Sequence, residues 1–248
     1  MGATRRGMLS KTIQERKTTA AERVDGSTSA SIVTALYSRT KALHVEAERT
    51  GIIRDLLRGN ASRDGYVLLM RNLLPAYRAL EHGLERHRSS SGLGHLAKFR
   101  FDRASTIESD LMALRGEHWS REIPVLPAAG LYANRISEAA EGDGLRLVAH
   151  AYTRYLGDLS GGQVLQRLLA RSLQLQPNEL SFYDFPRFSD LNALKTDYRE
   201  ALKRAGKIAL DPDAIIEEGA LAFSHNIALS CAVQAMVSRG PAAAAAAE

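Results

Sequence analysis

Apolar residues recur at three- and four-residue intervals through nearly the whole stretch from residue 30 to residue 239, a period that suits helices and little else. Strand-like alternation between turn signals is scarce, so the chain is expected to be all-α. The period predicts helices near residues 30–49, 63–87, 101–116, 129–140, 144–174, 187–205 and 211–239. Their punctuation is readable: Gly51 is expected to close the first, and Ser62 with Asp64 and Gly65 to open the second. Pro124 and Pro127 part the third from the fourth, and Pro177 follows the fifth. Links this short imply a compact bundle, and 248 residues suffice for one large core.

Composition narrows the classes of function. Residues 1–28 mix Thr, Ser, Arg, Lys and Glu without an apolar period and are expected to form a basic extension. Residues 1–23 hold six Lys/Arg against two Asp/Glu, so they supply +4 of the formal +5. The remainder is nearly neutral and carries no nucleic-acid-binding motif, so no nucleic-acid partner is expected. Residues 29–239 form the expected domain, and 240–248 an Ala-rich tail. No uninterrupted apolar run approaches a membrane span, so neither an anchor nor an export signal is expected. The single cysteine, Cys231, excludes an internal disulfide and suits a cytoplasmic protein; its apolar surroundings predict a buried thiol.

Two local patterns point to chemistry. Gly157, Gly161 and Gly162 stand inside an otherwise strong helix, each at a cost of about 1 kcal/mol relative to alanine. Gly157 and Gly161 are four apart, so either a flat ligand pressed on bare backbone or a tight helix crossing offsets that cost. Phosphate binding is excluded, because no strand precedes them and no Lys-Ser/Thr pair follows. Arg154 lies four residues before Asp158, the spacing of an ordinary intrahelical salt bridge. His44 has Glu48 one turn later, where a carboxylate can hold the second ring nitrogen of a metal-bound histidine; on spacing alone, a plain surface or core histidine is the commoner reading.

The run Leu147-Val148-Ala149-His150-Ala151-Tyr152-Thr153-Arg154-Tyr155-Leu156-Gly157-Asp158-Leu159-Ser160-Gly161-Gly162-Gln163-Val164-Leu165 resembles the distal-helix signature of the haem oxygenase family without a break. The His44 segment resembles that family's proximal histidine motif, Arg63-Asp64-Gly65-Tyr66 its next helix start, and Lys195 with Arg199 its propionate-binding helix. The resemblance covers residues 30 to 239. It implies a single-domain helical bundle with haem, at once cofactor and substrate, between proximal and distal helices. It implies oxidative cleavage of haem to biliverdin, carbon monoxide and Fe2+, with O2 and electrons from a separate donor such as ferredoxin or a flavin reductase.

Carried across residue by residue, the resemblance makes His44 the iron ligand and Glu48 its partner. Gly157, Gly161 and Gly162 become the backbone crossing the haem face. Asp158 becomes the carboxylate that organises distal water, with Tyr77 and Arg154 in its network. Tyr152, Thr153, Lys195, Arg199, Phe223 and Asn226 become haem-binding positions. In one departure, Tyr37 stands seven residues before His44, where the family usually has Lys or Arg. Arg39 and Lys41 are expected to point elsewhere, so one propionate contact is expected to be lost. Two other readings are a haem carrier or sensor on the same scaffold, needing neither the glycines nor Asp158, and a helical hydrolase of the thiaminase type. The latter requires an activated cysteine, and Cys231 has no suitable charged neighbours in sequence.

Overall fold

The computed structural model describes residues 30–239, so the expected basic extension and the Ala-rich tail lie outside the described residues. Among the described residues there is no strand. Helix α1, Ile32–Arg49, starts at Ser31, whose hydroxyl accepts from Thr34 N–H. Helix α2, Gly51–Leu57, follows at once, and Gly51 opens it rather than closing α1. At φ +57° and with a would-be Cβ 2.6 Å from Cys231 N, only glycine suits that corner, where the chain turns against the last helix. Helix α3, Arg63–Arg86, is capped by the expected Ser62, which accepts from Gly65 N–H.

Next come α4 (Gly94–Ala97), α5 (Arg103–Arg115), α6 (Trp119–Glu122) and α7 (Pro127–Ala139), the last with proline in its first turn. The expected long fifth helix is composite. It comprises α8 (Leu147–Ala151), two π-helical segments (Tyr152–Leu156 and Asp158–Gly162) and α9 (Gln163–Ser172). Two 3-10 turns, Pro177–Glu179 and Ser181–Tyr183, lead to α10 (Leu191–Lys207) and α11 (Pro212–Arg239). Helices α2, α4 and α6 escape a periodicity argument because four to seven residues hold at most two turns.

Helix α3 runs through the middle. Its fully buried Leu74, Ala76, Tyr77 and Leu80 hold it between α5 and α7, each buried leucine contributing about 1.5–3 kcal/mol relative to exposure. Helix α11 packs across α1, α2, α7 and α8. By length and composition it is long and apolar enough to cross a membrane. Among the described residues it is partly buried, and its inward face carries Glu218, which is 1% exposed and accepts from Arg135 and from His150 Nε2 at 2.9 Å. Cys231 faces outward from α11 and is exposed, contrary to the buried thiol its apolar neighbours suggest, because it lies opposite the buried Leu229 and Val233 stripe.

Candidate active site

A cavity of about 980 Å³ opens between α1 and the π-helical segments, with α10 and α11 at its sides and Leu69 and Leu73 of α3 at its floor. That volume stands at the upper end of the range usual for small-molecule sites. From α1, His44, Glu48, Lys41 and Tyr37 face it. The His44 side chain is 58% exposed, its ring lies 5.8 Å from that of Phe223 on α11, and its Nδ1 stands 3.6 Å from Glu48 Oε1. With one ring nitrogen turned to a carboxylate, the other is left for a ligand. Lys41 is in the wall after all, because three residues before His44 is the same face of the helix. Arg39 does point elsewhere, donating from Nε and a terminal N–H to Glu217 at 2.9 and 2.8 Å.

The opposite wall is the distal segment, with Tyr152, Thr153, Arg154, Gly157, Ser160 and Gly161 all facing the cavity. A Cβ built on Gly157 or Gly161 meets no atom within 4 Å. Helix crossing therefore does not offset their helical cost; the bare backbone fronts open space, as a flat ligand requires. Gly162 is outside the wall and faces Tyr183, whose ring carbon would lie 3.3 Å from its Cβ. The π turns explain how the segment shows so much of itself to one cavity, since an extra residue per turn shifts the helical phase.

The same shift undoes the expected Arg154–Asp158 salt bridge. Among the described residues the two form no ion pair. Arg154 instead donates to Asn226 Oδ1 at 2.6 Å, and its guanidinium lies 5.2 Å from the centre of the Tyr77 ring. Asp158 is 6% exposed and sits behind the wall, with Tyr77 OH 2.9 and 2.8 Å from its two oxygens and donating to that carboxylate. Burial pushes the Asp158 carboxyl up, opposed by the Arg154 charge and the Tyr77 hydrogen bond. Burial likewise holds Tyr77 well above the usual phenol range. Burial alone lowers Arg154, but Tyr77, Tyr132 and Asp158 around it raise it overall, so it is a permanent cation.

Of the residues singled out from sequence, the structure thus places His44, Glu48, Tyr152, Thr153, Arg154, Gly157, Gly161, Arg199, Phe223 and Asn226 in one cavity wall. Asp158 and Tyr77 stand directly behind it. Lys195, one turn before Arg199 on α10, is half-buried and outside the wall. His150 is fully buried against Glu218 and does not reach the cavity. Thr40, Ser160 and Ser230 line it without having been singled out, and nothing in their local spacing distinguishes them.

Comparison with known proteins agrees with this geometry. The profile of the family described as "Heme oxygenase" matches residues 30–232. "Heme oxygenase 1" of Nostoc is 32% identical over 200 residues, covering 80% of this chain and 84% of that protein. The human "Heme oxygenase 1" is 36% identical over 198 residues, covering 79% and 69%. The crystal structure of heme oxygenase-1 from the cyanobacterium Synechocystis in complex with heme superposes with a TM-score of 0.79. Identity is 29%, over 85% of this chain and 95% of that one. A helical bundle whose wall is glycine backbone facing a histidine, together with a family match over most of its length, makes this chain a member of the haem oxygenase family, the oxidoreductases that cleave haem.

Proposed function

We propose that residues 29–239 hold haem in this cavity through His44 and, in the cytoplasm, open it to biliverdin IXα, carbon monoxide and Fe2+ at the expense of O2. The observation that carries the proposal is the open space in front of Gly157 and Gly161, across the cavity from His44. A flat macrocycle could lie against that backbone without meeting a side chain there. The fit extends to charge: Lys41 and Arg199 supply cations in the cavity wall for the carboxylates such a ring carries, and Tyr152 supplies a hydroxyl. Bound haem supplies the iron at which O2 is activated.

The chain's own groups do the rest. Glu48, 3.6 Å from Nδ1, lies on the side of the His44 ring turned from the ligand position and helps orient it. Asp158, buried and fed by the Tyr77 hydroxyl, retains a proton more readily than a solvated carboxylate and can relay it towards the cavity. Arg154, tied to Asn226, sets a positive charge near that carboxylate without pairing with it. With one cysteine and no dinucleotide fingerprint, the chain takes its electrons from a separate protein, ferredoxin or a flavin reductase.

The test is reconstitution with one equivalent of hemin, then reductant under air in the presence of catalase, followed by absorption and product chromatography. Loss of the Soret band with biliverdin appearing is the expected result, and the isomer obtained reports whether Lys41 and Arg199 fix the ring without a cation at Tyr37. A haem complex that persists through reduction and aeration overturns the proposal.

A further inference from the structure

Helix α5 opens on a buried cation that lies outside the wall of the haem cavity. Arg103, its first residue, is 2% exposed and, among the described residues, forms no ion pair. Its guanidinium is directed at backbone carbonyls instead. Nε donates to Phe101 at 2.9 Å, and one terminal nitrogen donates to Phe182 and, at 2.7 Å, to Asp184. The centre of the Phe185 ring lies 4.3 Å from the guanidinium carbon. A cation sealed from water without a carboxylate against it is costly, so what it holds and what its charge faces both matter.

Two of the three carbonyls belong to the turn packed behind the distal segment. Helix α5 grips that turn a second time: Asp110, seven residues on and so on the same face, accepts from the N–H groups of Ser181 and Phe182, both at 2.9 Å. The gripped turn touches the site at three points. The Phe182 ring stands edge-on to Tyr77 with centroids 5.4 Å apart, the Tyr183 carbonyl accepts from Gln163 Nε2 at 2.7 Å, and the Tyr183 ring is the neighbour of Gly162. Tyr77 is thus packed from the α5 side while its hydroxyl lies 2.9 and 2.8 Å from the two oxygens of Asp158. Charge follows the same route. Burial lowers Arg103, and the Asp158 charge is the largest influence opposing it; in return Arg103, after Arg154 and the Tyr77 hydrogen bond, lowers the carboxyl that burial raises.

We propose that Arg103 is a positioning residue for haem cleavage: it holds Phe182 against Tyr77, and so the Tyr77 hydroxyl on Asp158, and it adds a second cation, after Arg154, facing that carboxylate. The inference rests on the haem-cleaving reading of the site. Arg103 itself is not in the cavity wall, so removing it alters Asp158 and leaves the space for haem as it is. Arginine suits both tasks, because its planar fork reaches several carbonyls at once and its charge persists at any working pH.

The test compares Arg103→Met, which removes the donors and the charge, with Arg103→Lys, which keeps the charge. In the full chain, labelled at its aspartate carboxyl carbons, Asp158 is titrated by NMR, its resonance assigned by its absence in Asp158→Asn. Bilin formation from added hemin is then measured on the same preparations. In Arg103→Met the Asp158 midpoint should move to higher pH, hemin uptake should match the wild type, and bilin formation should fall about ten-fold or more. Arg103→Lys should restore the midpoint and most of the bilin yield. If Arg103→Met folds poorly, Phe182→Leu carries the test: it keeps Arg103 and the hydrogen bonds of the turn but frees the Tyr77 ring, so the midpoint should rise and bilin formation fall several-fold. A folded Arg103→Met with the wild-type midpoint overturns the proposal, whatever its yield, and makes Arg103 a fastener of the fold; so does a Phe182→Leu indistinguishable from the wild type. The titration is read without haem, so a wild type that forms no bilin overturns the haem reading, while the midpoints still decide whether Arg103 governs Asp158.

Discussion

A carboxyl group sealed behind a helix is a different reagent from one in water, and Asp158 owes its character to that enclosure rather than to an ion pair. Tyr77 donates to it from α3, and the Arg154 charge acts on it without contact. Removing the carboxylate in Asp158→Ala strands the buried Tyr77 hydroxyl at a cost of about 1–3 kcal/mol. Asp158→Asn keeps the acceptor and largely avoids that cost. Both variants are expected to take up haem with an ordinary spectrum while bilin formation falls by about 10²-fold or more. His44→Ala reverses the pattern, losing the axial-ligand spectrum itself. Absorption titration with hemin followed by product chromatography separates the two roles, and an unaltered bilin yield in Asp158→Asn removes Asp158 from the reaction. Sequence named Asp158 and the glycines because they share one unbroken run. Tyr77, 81 residues away, was nameable only through the family resemblance, whereas Lys41 was misplaced although its three-residue spacing from His44 already sets both on one helix face.

The distal element was legible as a helix but not as a π-helix. Apolar period and glycine content are alike for both, and the i→i+5 bonding is decided by what the segment packs against. The consequence for design is that its glycines are unequal. Gly161→Leu places a side chain in open space at ordinary helical backbone angles, so unfolding stability should hold or rise by about 1 kcal/mol. The same side chain fills the space proposed for haem, so hemin uptake should be lost. Gly51→Ala does the opposite. It forces a left-handed φ and overlaps α11 backbone at 2.5–2.6 Å, costing about 2 kcal/mol or more. Thermal unfolding and hemin titration on the two variants read both effects. A Gly161→Leu protein that still binds hemin normally places the haem elsewhere. The α1–α2 corner was misread from sequence for the same reason: a glycine after a helical run resembles a terminator, and only the proximity of α11 reveals it as a point of close approach.

At the scale of the molecule, three helices of the bundle, one of them the cavity-lining α11, are locked together by buried charge, and this predicts how the protein fails in acid. Glu218 on α11 meets Arg135 of α7 and His150 of α8, joining three helices around one carboxylate. Burial alone raises Glu218, but the hydrogen bonds from His150 and Arg135 outweigh it and hold the carboxyl below its ordinary value of 4.5. Burial is the largest influence on His150 and lowers it from 6.5 despite Glu218, so the folded state keeps the imidazole neutral. Both groups bind protons more tightly unfolded than folded. Their contributions are therefore full above pH 6.5 for His150 and above pH 4.5 for Glu218, and each is lost as pH falls through the depressed folded value. Stability should decline in two stages, the first beginning below about pH 6.5 and the second below about pH 4.5. Glu218→Gln leaves Arg135 without its buried partner and should cost about 3 kcal/mol at pH 7, roughly 6–12 °C in Tm for a chain of this size. That deficit should shrink once the wild-type carboxyl is itself protonated. Denaturant unfolding of both proteins from pH 4 to pH 8 decides the matter, and parallel curves across the range mean that the lock contributes packing and not charge.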